Sequence, residues 1–375
     1  MKIELLSNEI FNFNCLSLEN KPIGIFQGLF FISKEEREHV IQIANMIWRK
    51  ILKKSRVKNF LGYIRFDFVP KVNEISKIGK RIFEIDFEIV GIYEVNVHSP
   101  ECACAITALH KAIPKLKMLQ PNPAYLISKA IKKTFNDTIT IIFVPGKGTV
   151  KKCFSYYFYD ELSKFLDIRW MSEEEAMKFS KSEILWRWGD ARINGPSEYS
   201  PKFLRFLLEL ESKGIVFNTV PIYEDLGNKI YLMPDDDKEW NKLVGKNFLL
   251  NLENLEIAIK NREKLVLKPL TGSSGNEIIF GINVSQDQWE KILKEKLRLG
   301  YGLYGLFEAR WLPSIEIDEK NKIVFDFNST FWAVNEKLDY LYSVIRVDEL
   351  KRYNKRLVIN VTQGGGFAGA CCEEE

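Results

Sequence analysis

The run Tyr93-Glu94-Val95-Asn96-Val97-His98 holds the densest chemistry in the chain. Successive side chains of an extended backbone point to opposite sides, so Glu94, Asn96 and His98 share one face, and Tyr93, Val95 and Val97 the other. A carboxylate and an amide oxygen then aim the same way, the oxygen-rich arrangement in which a hard cation such as Mg²⁺ bridges to substrate phosphates. In Arg65-Phe66-Asp67-Phe68 the same alternation separates Arg65 and Asp67 from two phenylalanines. Asp67 can therefore supply a second carboxylate from a strand whose other face is core. The competing interpretation of this spacing is a half-exposed antiparallel pair with a polar outer face.

A second constellation is Lys268-Pro269-Leu270-Thr271 followed by Gly272, Ser273, Ser274, Gly275 and Asn276. A lysine at a strand end before a small, flexible loop meets phosphate oxygens, and glycines let backbone N–H groups approach them. It is not a Walker loop, because Gly-Lys-Ser/Thr is missing and the next element reads as a strand. Gly146-Lys147-Gly148-Thr149 fails too, since a glycine follows its lysine. A Gly/Ser hairpin turn is the plain alternative. Glu308, closing the run Tyr304 to Glu308, can accept hydrogen bonds from a ribose or an adenine amine. Arg346 and the stretch Asn360 to Gly366, with Gly364 and Gly365, put a fixed cation and an anion-friendly loop near the end of the chain. A surface arginine and a turn are the bland readings.

The 375 residues allow two to three domains. Ser33-Lys34-Glu35-Glu36 is a capping box, and Val40, Ile41, Ala44, Ile47, Trp48 and Ile51 follow at helical spacing, which predicts a helix of about five turns covering a sheet. Strands are expected at Gly62 to Val69 and Ile89 to His98, and a linker where Pro114, Pro121 and Pro123 interrupt the chain. From Pro123 the pattern alternates: helix near 124–135, strand Ile139 to Val144, helix near 154–166, strand Ile168 to Met171. It continues with the capping box Ser172 to Glu175, strand Ile184 to Trp188, helix near 201–213 and strand Ile215 to Asn218, which argues a parallel, doubly wound sheet. Beyond residue 226 the character is α+β, with a third capping box at Ser285 to Gln288. The closing Cys-Cys-Glu-Glu-Glu is expected to fray.

Lys plus Arg exceeds Asp plus Glu by only 54 to 50, a net charge of +4, so a dedicated nucleic-acid surface is not expected despite 26 Phe, 14 Tyr and 8 Trp among the lysines. No apolar run is long enough to span a bilayer, and Glu4 and Glu9 stand where a signal peptide needs apolar residues; a cytoplasmic protein is expected. Six cysteines, including Cys102-x-Cys104 and Cys371-Cys372, form neither a disulfide framework nor paired zinc motifs, and three histidines argue against a His-rich metal site.

Taken together, these stretches resemble the ATP-grasp superfamily. Glu94-Val95-Asn96 with Pro100 is similar to its Glu-x-Asn-x-x-Pro stretch, Arg65-Phe66-Asp67-Phe68 to its Arg-x-Asp-Phe strand, and Lys268-Pro269 with Gly272 to Gly275 to its Lys-Pro and Gly-rich segment. Glu308 resembles the nucleotide-binding Glu of the linker strand, and Arg346, Asn360, Gly364 and Gly365 its late Arg and Asn-x-x-Gly-Gly elements. The order differs from common members, because the carboxylate strands come first. That resembles the circularly permuted type, including glutathionylspermidine synthetases and eukaryotic-type glutathione synthetases.

The resemblance implies a permuted ATP-grasp fold, α/β and α+β, with a Rossmann-like pre-ATP-grasp domain. Residues 1–118 and 311–375 would share the C-terminal subdomain, 119–225 the pre-ATP-grasp domain and 226–310 the nucleotide lobe. It implies ATP and Mg²⁺ as cofactors, with Asp67, Glu94 and Asn96 as metal ligands. Lys268, the loop and either Lys229 or Lys246 would contact nucleotide, and Arg346 and Arg65 would be catalytic. Asp326 and Asn328 are a competing i, i+2 pair on which no family motif falls, and rank below Glu94 and Asn96. The implied activity is a carboxylate–amine ligase on small-molecule or peptide substrates, without nucleic acid or membrane. A non-catalytic nucleotide-binding module is the alternative.

Overall fold

The computed structural model describes residues 1–7, 11–18, 21–55, 57, 60–97, 101–135, 140–146, 153–178, 184–188, 197–212, 226–271, 277–300, 303–357, 359 and 365–372. The architecture is mixed α/β. Strands β1 (Lys2–Leu5), β2 (Phe11–Leu18) and β3 (Lys21–Ile32) lead into helix α1 (Lys34–Lys54). The Glu36 N–H donates to the Ser33 hydroxyl at 3.2 Å and the Ser33 N–H to the Glu36 carboxylate at 2.8 Å, so the expected capping box closes on itself. Its apolar stripe, from Val40 to Leu52, is buried. Strands β4 (Leu61–Lys77) and β5 (Ile82–Asn96) follow as a hairpin longer than expected. Their distal halves are held by period-two alternation: Phe83, Ile85, Phe87 and Ile89 are buried, while Glu84, Asp86 and Glu88 face water.

The expected linker is instead two helices, α2 (Glu101–Ala112) and α3 (Pro114–Leu119), followed by α4 (Pro123–Phe135). Pro114 and Pro123 stand at first helical positions, where a missing N–H is harmless and the fixed φ suits the helix. Leu116 of α3 is fully buried. Then come β6 (Ile141–Pro145), α5 (Cys153–Leu162), β7 (Ile168–Trp170), α6 (Glu173–Ala176), β8 (Ile184–Trp188) and α7 (Pro201–Ser212). The three strands form a parallel sheet in the order β7-β6-β8. The strand expected at Ile215 to Asn218 lies outside the described residues.

Next are α8 (Lys238–Val244), β9 (Phe248–Leu249), α9 (Leu255–Lys260), β10 (Leu265–Pro269), β11 (Ile279–Phe280), α10 (Gln286–Leu299) and β12 (Tyr304–Glu308), whose strands make an antiparallel sheet in the order β11-β10-β12-β9. The chain then returns to its first sheet with β13 (Ser314–Glu316), β14 (Lys322–Val334), β15 (Lys337–Glu349), α11 (Leu350–Arg356) and β16 (Gly366–Cys372). Both chain ends thus build one nine-stranded sheet in the order β1-β5-β4-β14-β15-β16-β3-β2, with β13 against β14. Because β1 also pairs with β3, the path closes on itself. Cys371, expected to fray, pairs with Phe31 in β16 and is buried.

One face of this sheet is aromatic. Phe30 packs tilted against Phe325 and Phe66 edge-on against Phe331, each at 5.5 Å between ring centres, and α1 packs on the same cluster. Burial of each such ring contributes roughly 2–3 kcal/mol. The other face carries the polar residues described below. Among the described residues no helix is long and apolar enough to cross a membrane.

Helix α2 also buries a histidine. His110 is 6% exposed, and burial holds its pKa down to about 4, with Gln120 and Glu161 pulling upward and Lys117 downward. An unfolded histidine titrates near 6.5, so between pH ~6.5 and about 4 the unfolded chain binds the extra proton, and stability falls as pH falls. The expected slope from this residue is at most about 1.4 kcal/mol per pH unit. Urea unfolding at pH 7, 6 and 5 should show His110→Leu losing that part of the slope; equal slopes in both proteins would reject the assignment.

Candidate functional site

Register assembles the polar face. Asp67 faces Glu94 and Arg65 faces Asn96 across β4 and β5. Across β4 and β14, Asn328 lies opposite Asp67, and across β14 and β15, Arg346 lies opposite Asp326. Strict alternation fails in β5. Pairing steps from Asp67–Glu94 to Phe68–Ile92, and from Val69–Gly91 to Pro70–Ile89, so Tyr93 and Val90 are bulged out of the ladder. Pro70 has no N–H to give the ladder at the second step. Core positions therefore run Ile89, Ile92, Val95. Tyr93 does not join Val95 in the core; its ring lies 5.6 Å from the Lys268 ammonium and its hydroxyl donates to the Arg310 carbonyl at 2.7 Å.

Asp67 is 3% exposed and engaged on both oxygens. Oδ1 accepts from Arg65 Nε at 2.6 Å and, at 3.5 Å, from Asn96 Nδ2; Oδ2 accepts from Arg65 Nη2 at 3.0 Å and Arg346 Nη2 at 3.3 Å. Asp326 takes Arg346 Nε at 2.8 Å and Nη2 at 2.5 Å on Oδ2, and Asn328 Nδ2 at 2.8 Å on Oδ1. Burial raises the Asp326 pKa despite Arg346, and Asp326 and Asp67 raise that of Arg346 against its own burial. Two arginines and two aspartates thus neutralise one another. No sequence motif marks Asp326 and Asn328. Only the register of β14 against β4 and β15 brings them to Asp67 and Arg346.

The other half of the site is cationic. Lys229 is buried with its ammonium 3.0 Å from Glu94 Oε1, and its backbone N–H donates to the Leu270 carbonyl at 2.9 Å, which ties this turn to the end of β10. Burial works against the Glu94 charge, but Lys229, then Lys268 and Arg65, hold its carboxyl below the ordinary value. The Lys268 ammonium sits over Phe307, 5.2 Å from the ring centre, as well as over Tyr93. Burial, helped by Lys229, lowers its pKa to about 8, and Glu94 and Asp67 oppose the shift. Lys246 is different: its side chain is exposed, and its backbone N–H donates to Glu308 Oε2 at 3.3 Å. Asn247 Oδ1 accepts the Glu308 N–H at 3.0 Å.

Gly272, Ser273, Ser274, Gly275, His98, Pro100, Asn360 and Gly364 lie outside the described residues. Gly365 is buried just before β16, whose Gly366 and Phe367 pair with Val347 and Arg346. A Cβ on Gly366 would come within 2.7 Å of the Gly24 carbonyl oxygen, so only glycine lets β16 lie this close to β3.

The donor set suits a magnesium ion shared with phosphates. Among the described residues no group of three or more His, Cys, Asp or Glu gathers as a metal cage. Glu94 is a partly exposed carboxylate, and Asn96 points its Nδ2 at Asp67, which leaves Oδ1 as the acceptor. Mg²⁺ commonly takes one or two protein oxygens and completes its shell with water and phosphate. Asp67, expected from the resemblance as a third metal ligand, has both oxygens engaged by arginines, and Asn96 Nδ2 lies 3.5 Å from its Oδ1. A separate open groove at the C-terminal ends of β6 and β7, lined by Trp170, Glu173, Lys202 and Arg205, contains none of these residues.

No family model matches the chain, and no curated protein matches it. Among solved structures the chain is similar to a glutathione synthetase-like effector from Globodera pallida, at 10% identity and a TM-score of 0.48, over 98% of this chain and 94% of that one. This is a likeness of overall form.

Proposed function

We propose that the chain is an ATP-dependent carboxylate–amine ligase of the ATP-grasp kind. The observation that carries this reading is the convergence of Lys229 and Lys268 on Glu94 from separate stretches of chain, with Asn96 and Arg346 on the same sheet face. Two desolvated ammonium groups beside an oxygen-donor pair suit a polyphosphate better than a neutral ligand.

In the reaction, a substrate carboxylate oxygen attacks the γ-phosphorus of ATP. An O–P bond forms as the bond to the β,γ-bridging oxygen breaks, and ADP leaves with that electron pair. The amine nitrogen then attacks the acyl carbon, the C–N bond forms, and phosphate departs while the amine proton passes to solvent. No Ser, Cys or His nucleophile is required, so catalysis is positioning and charge neutralisation. Lys229 and Lys268 grip phosphate oxygens, Glu308 accepts from the adenine amine or ribose, and Arg346 and Arg65 face the transferring group. Magnesium, held by Glu94 and Asn96, supplies charge neutralisation on the phosphates when bound.

A nucleotide-binding module without ligation is favoured by one feature, the engagement of both guanidiniums by Asp67 and Asp326. Thermal-shift titration with ATP, with and without Mg²⁺, tests the shared part: at a hundred times Kd the wild type should gain about 2.7 kcal/mol. ADP release that requires both a carboxylate and an amine then separates ligase from module. No shift at millimolar ATP would remove both.

A further inference from the structure

Arg310 lies two residues beyond Glu308, and its guanidinium is threaded between two glycines. Nη1 donates to the Leu243 carbonyl at 2.7 Å and the Val90 carbonyl at 3.2 Å, and Nη2 to the Lys242 carbonyl at 3.1 Å. Glu308 Oε2 is 3.7 Å away. Lys242 and Leu243 are in the last turn of α8, whose carbonyls have no partner within the helix and favour a cation. A Cβ on Gly91 would stand 1.5 Å from Nη1, and one on Gly245, at φ +80°, 2.5 Å from Nη2 and 2.4 Å from Glu308 Oε2. Both glycines therefore form a cradle that any side chain would fill. The two residues bulged from β5 are the ones that meet Arg310: Val90 through its carbonyl, and Tyr93 through the hydroxyl that donates to the Arg310 carbonyl.

We infer that Arg310 is a positioning residue that locks the lobe carrying Glu308 and Lys268 onto the strand carrying Glu94 and Asn96. The inference rests on the proposed nucleotide site and adds how its two halves are kept in register. Arg310 reaches β5 and α8 at once from the end of β12, and Tyr93 adjoins Glu94 in sequence. Together with Lys229, which bridges Glu94 and the Leu270 carbonyl, Arg310 thereby fixes the separation between the adenine end and the metal end of a bound nucleotide. No motif covers it.

The test compares full-length wild type with Arg310→Met, Arg310→Lys and Tyr93→Phe by calorimetry, using ADP in EDTA and ATP with Mg²⁺. A ligand that spans both halves should weaken about ten- to a hundredfold in Arg310→Met, the loss of one or two charge-assisted contacts. Metal-free ADP, held by the Glu308 lobe, should change less than about threefold on the same scale. Tyr93→Phe, which keeps the ring and the fold, should shift in the same direction by a smaller factor. Should Arg310→Met fail to fold, Arg310→Lys and Tyr93→Phe decide. Equal weakening of both ligands, or Mg²⁺·ATP affinity unchanged in the folded variants, overturns the inference alone. A wild type that binds neither nucleotide overturns the underlying reading and this inference with it.

Discussion

Lys268→Ala should abolish the stabilisation that Mg²⁺·ATP is expected to confer at the proposed site. The ammonium lies over Phe307 and Tyr93 at 5.2 and 5.6 Å, where burial lowers its pKa to about 8. A half-buried cation whose charge is disfavoured by partial desolvation gains strongly from an arriving phosphate. Losing one such charge-assisted contact removes about 2–3 kcal/mol, roughly a hundredfold in Kd, so a ligand near saturation for wild type becomes marginal. Without nucleotide the variant should melt close to wild type. It loses two cation–ring contacts of about 1 kcal/mol each and the attraction of Glu94 and Asp67, offset by relief of the burial cost of the Lys268 charge and of its repulsion with Lys229. A full ATP-dependent shift in Lys268→Ala would place the phosphates elsewhere.

Glu94→Gln carries the second large effect, on two quantities at once. The substitution keeps shape but removes the charge opposite Lys229, whose side chain is 6% exposed at 3.0 Å. An uncompensated ammonium in that position costs about 3 kcal/mol of stability. The same change removes the carboxylate from the Glu94–Asn96 donor pair, so the Mg²⁺-dependent part of the ATP shift should vanish. In a ligase assay, turnover should fall by about a thousandfold, the scale for removing one preorganised charge contact from a transferring group. Adding Lys229→Met to Glu94→Gln separates the two effects, because removing both charges restores melting while leaving Mg²⁺ dependence absent. If Glu94→Gln retained Mg²⁺ dependence, the metal would have to lie on other oxygens.

Local signals were readable wherever the chemistry is local. Ser33 with Glu36, Ser172 with Glu175 and Ser285 with Gln288 each close as capping boxes. Alternation in β4 put Asp67 beside Arg65 on the face opposite Phe66 and Phe68, as the pattern implies. The prolines near residue 114 misled, because proline at a first helical position and proline in a linker look alike without the packing of Leu116. Similarly, Lys229 and Lys246 are alike as letters. The hydrogen bond from the Lys229 N–H to Leu270, at 2.9 Å, is what turns the first toward Glu94.

By itself, the sequence determined the strands that carry Glu94, Asp67 and Lys268, because side-chain alternation depends on neighbours only a few residues away. Tertiary structure decided which of these meet. Asp326 reaches Arg346 and Asn328 lies opposite Asp67 only through the pairing of strands far apart in the chain. Bulges at Val90 and Tyr93 then change which residues face the core, since one extra residue reverses every side chain beyond it. The Arg310 cradle needs Gly91, Gly245 and α8 together. Such long-range register depends on the closure of the whole sheet, which no short window of sequence contains.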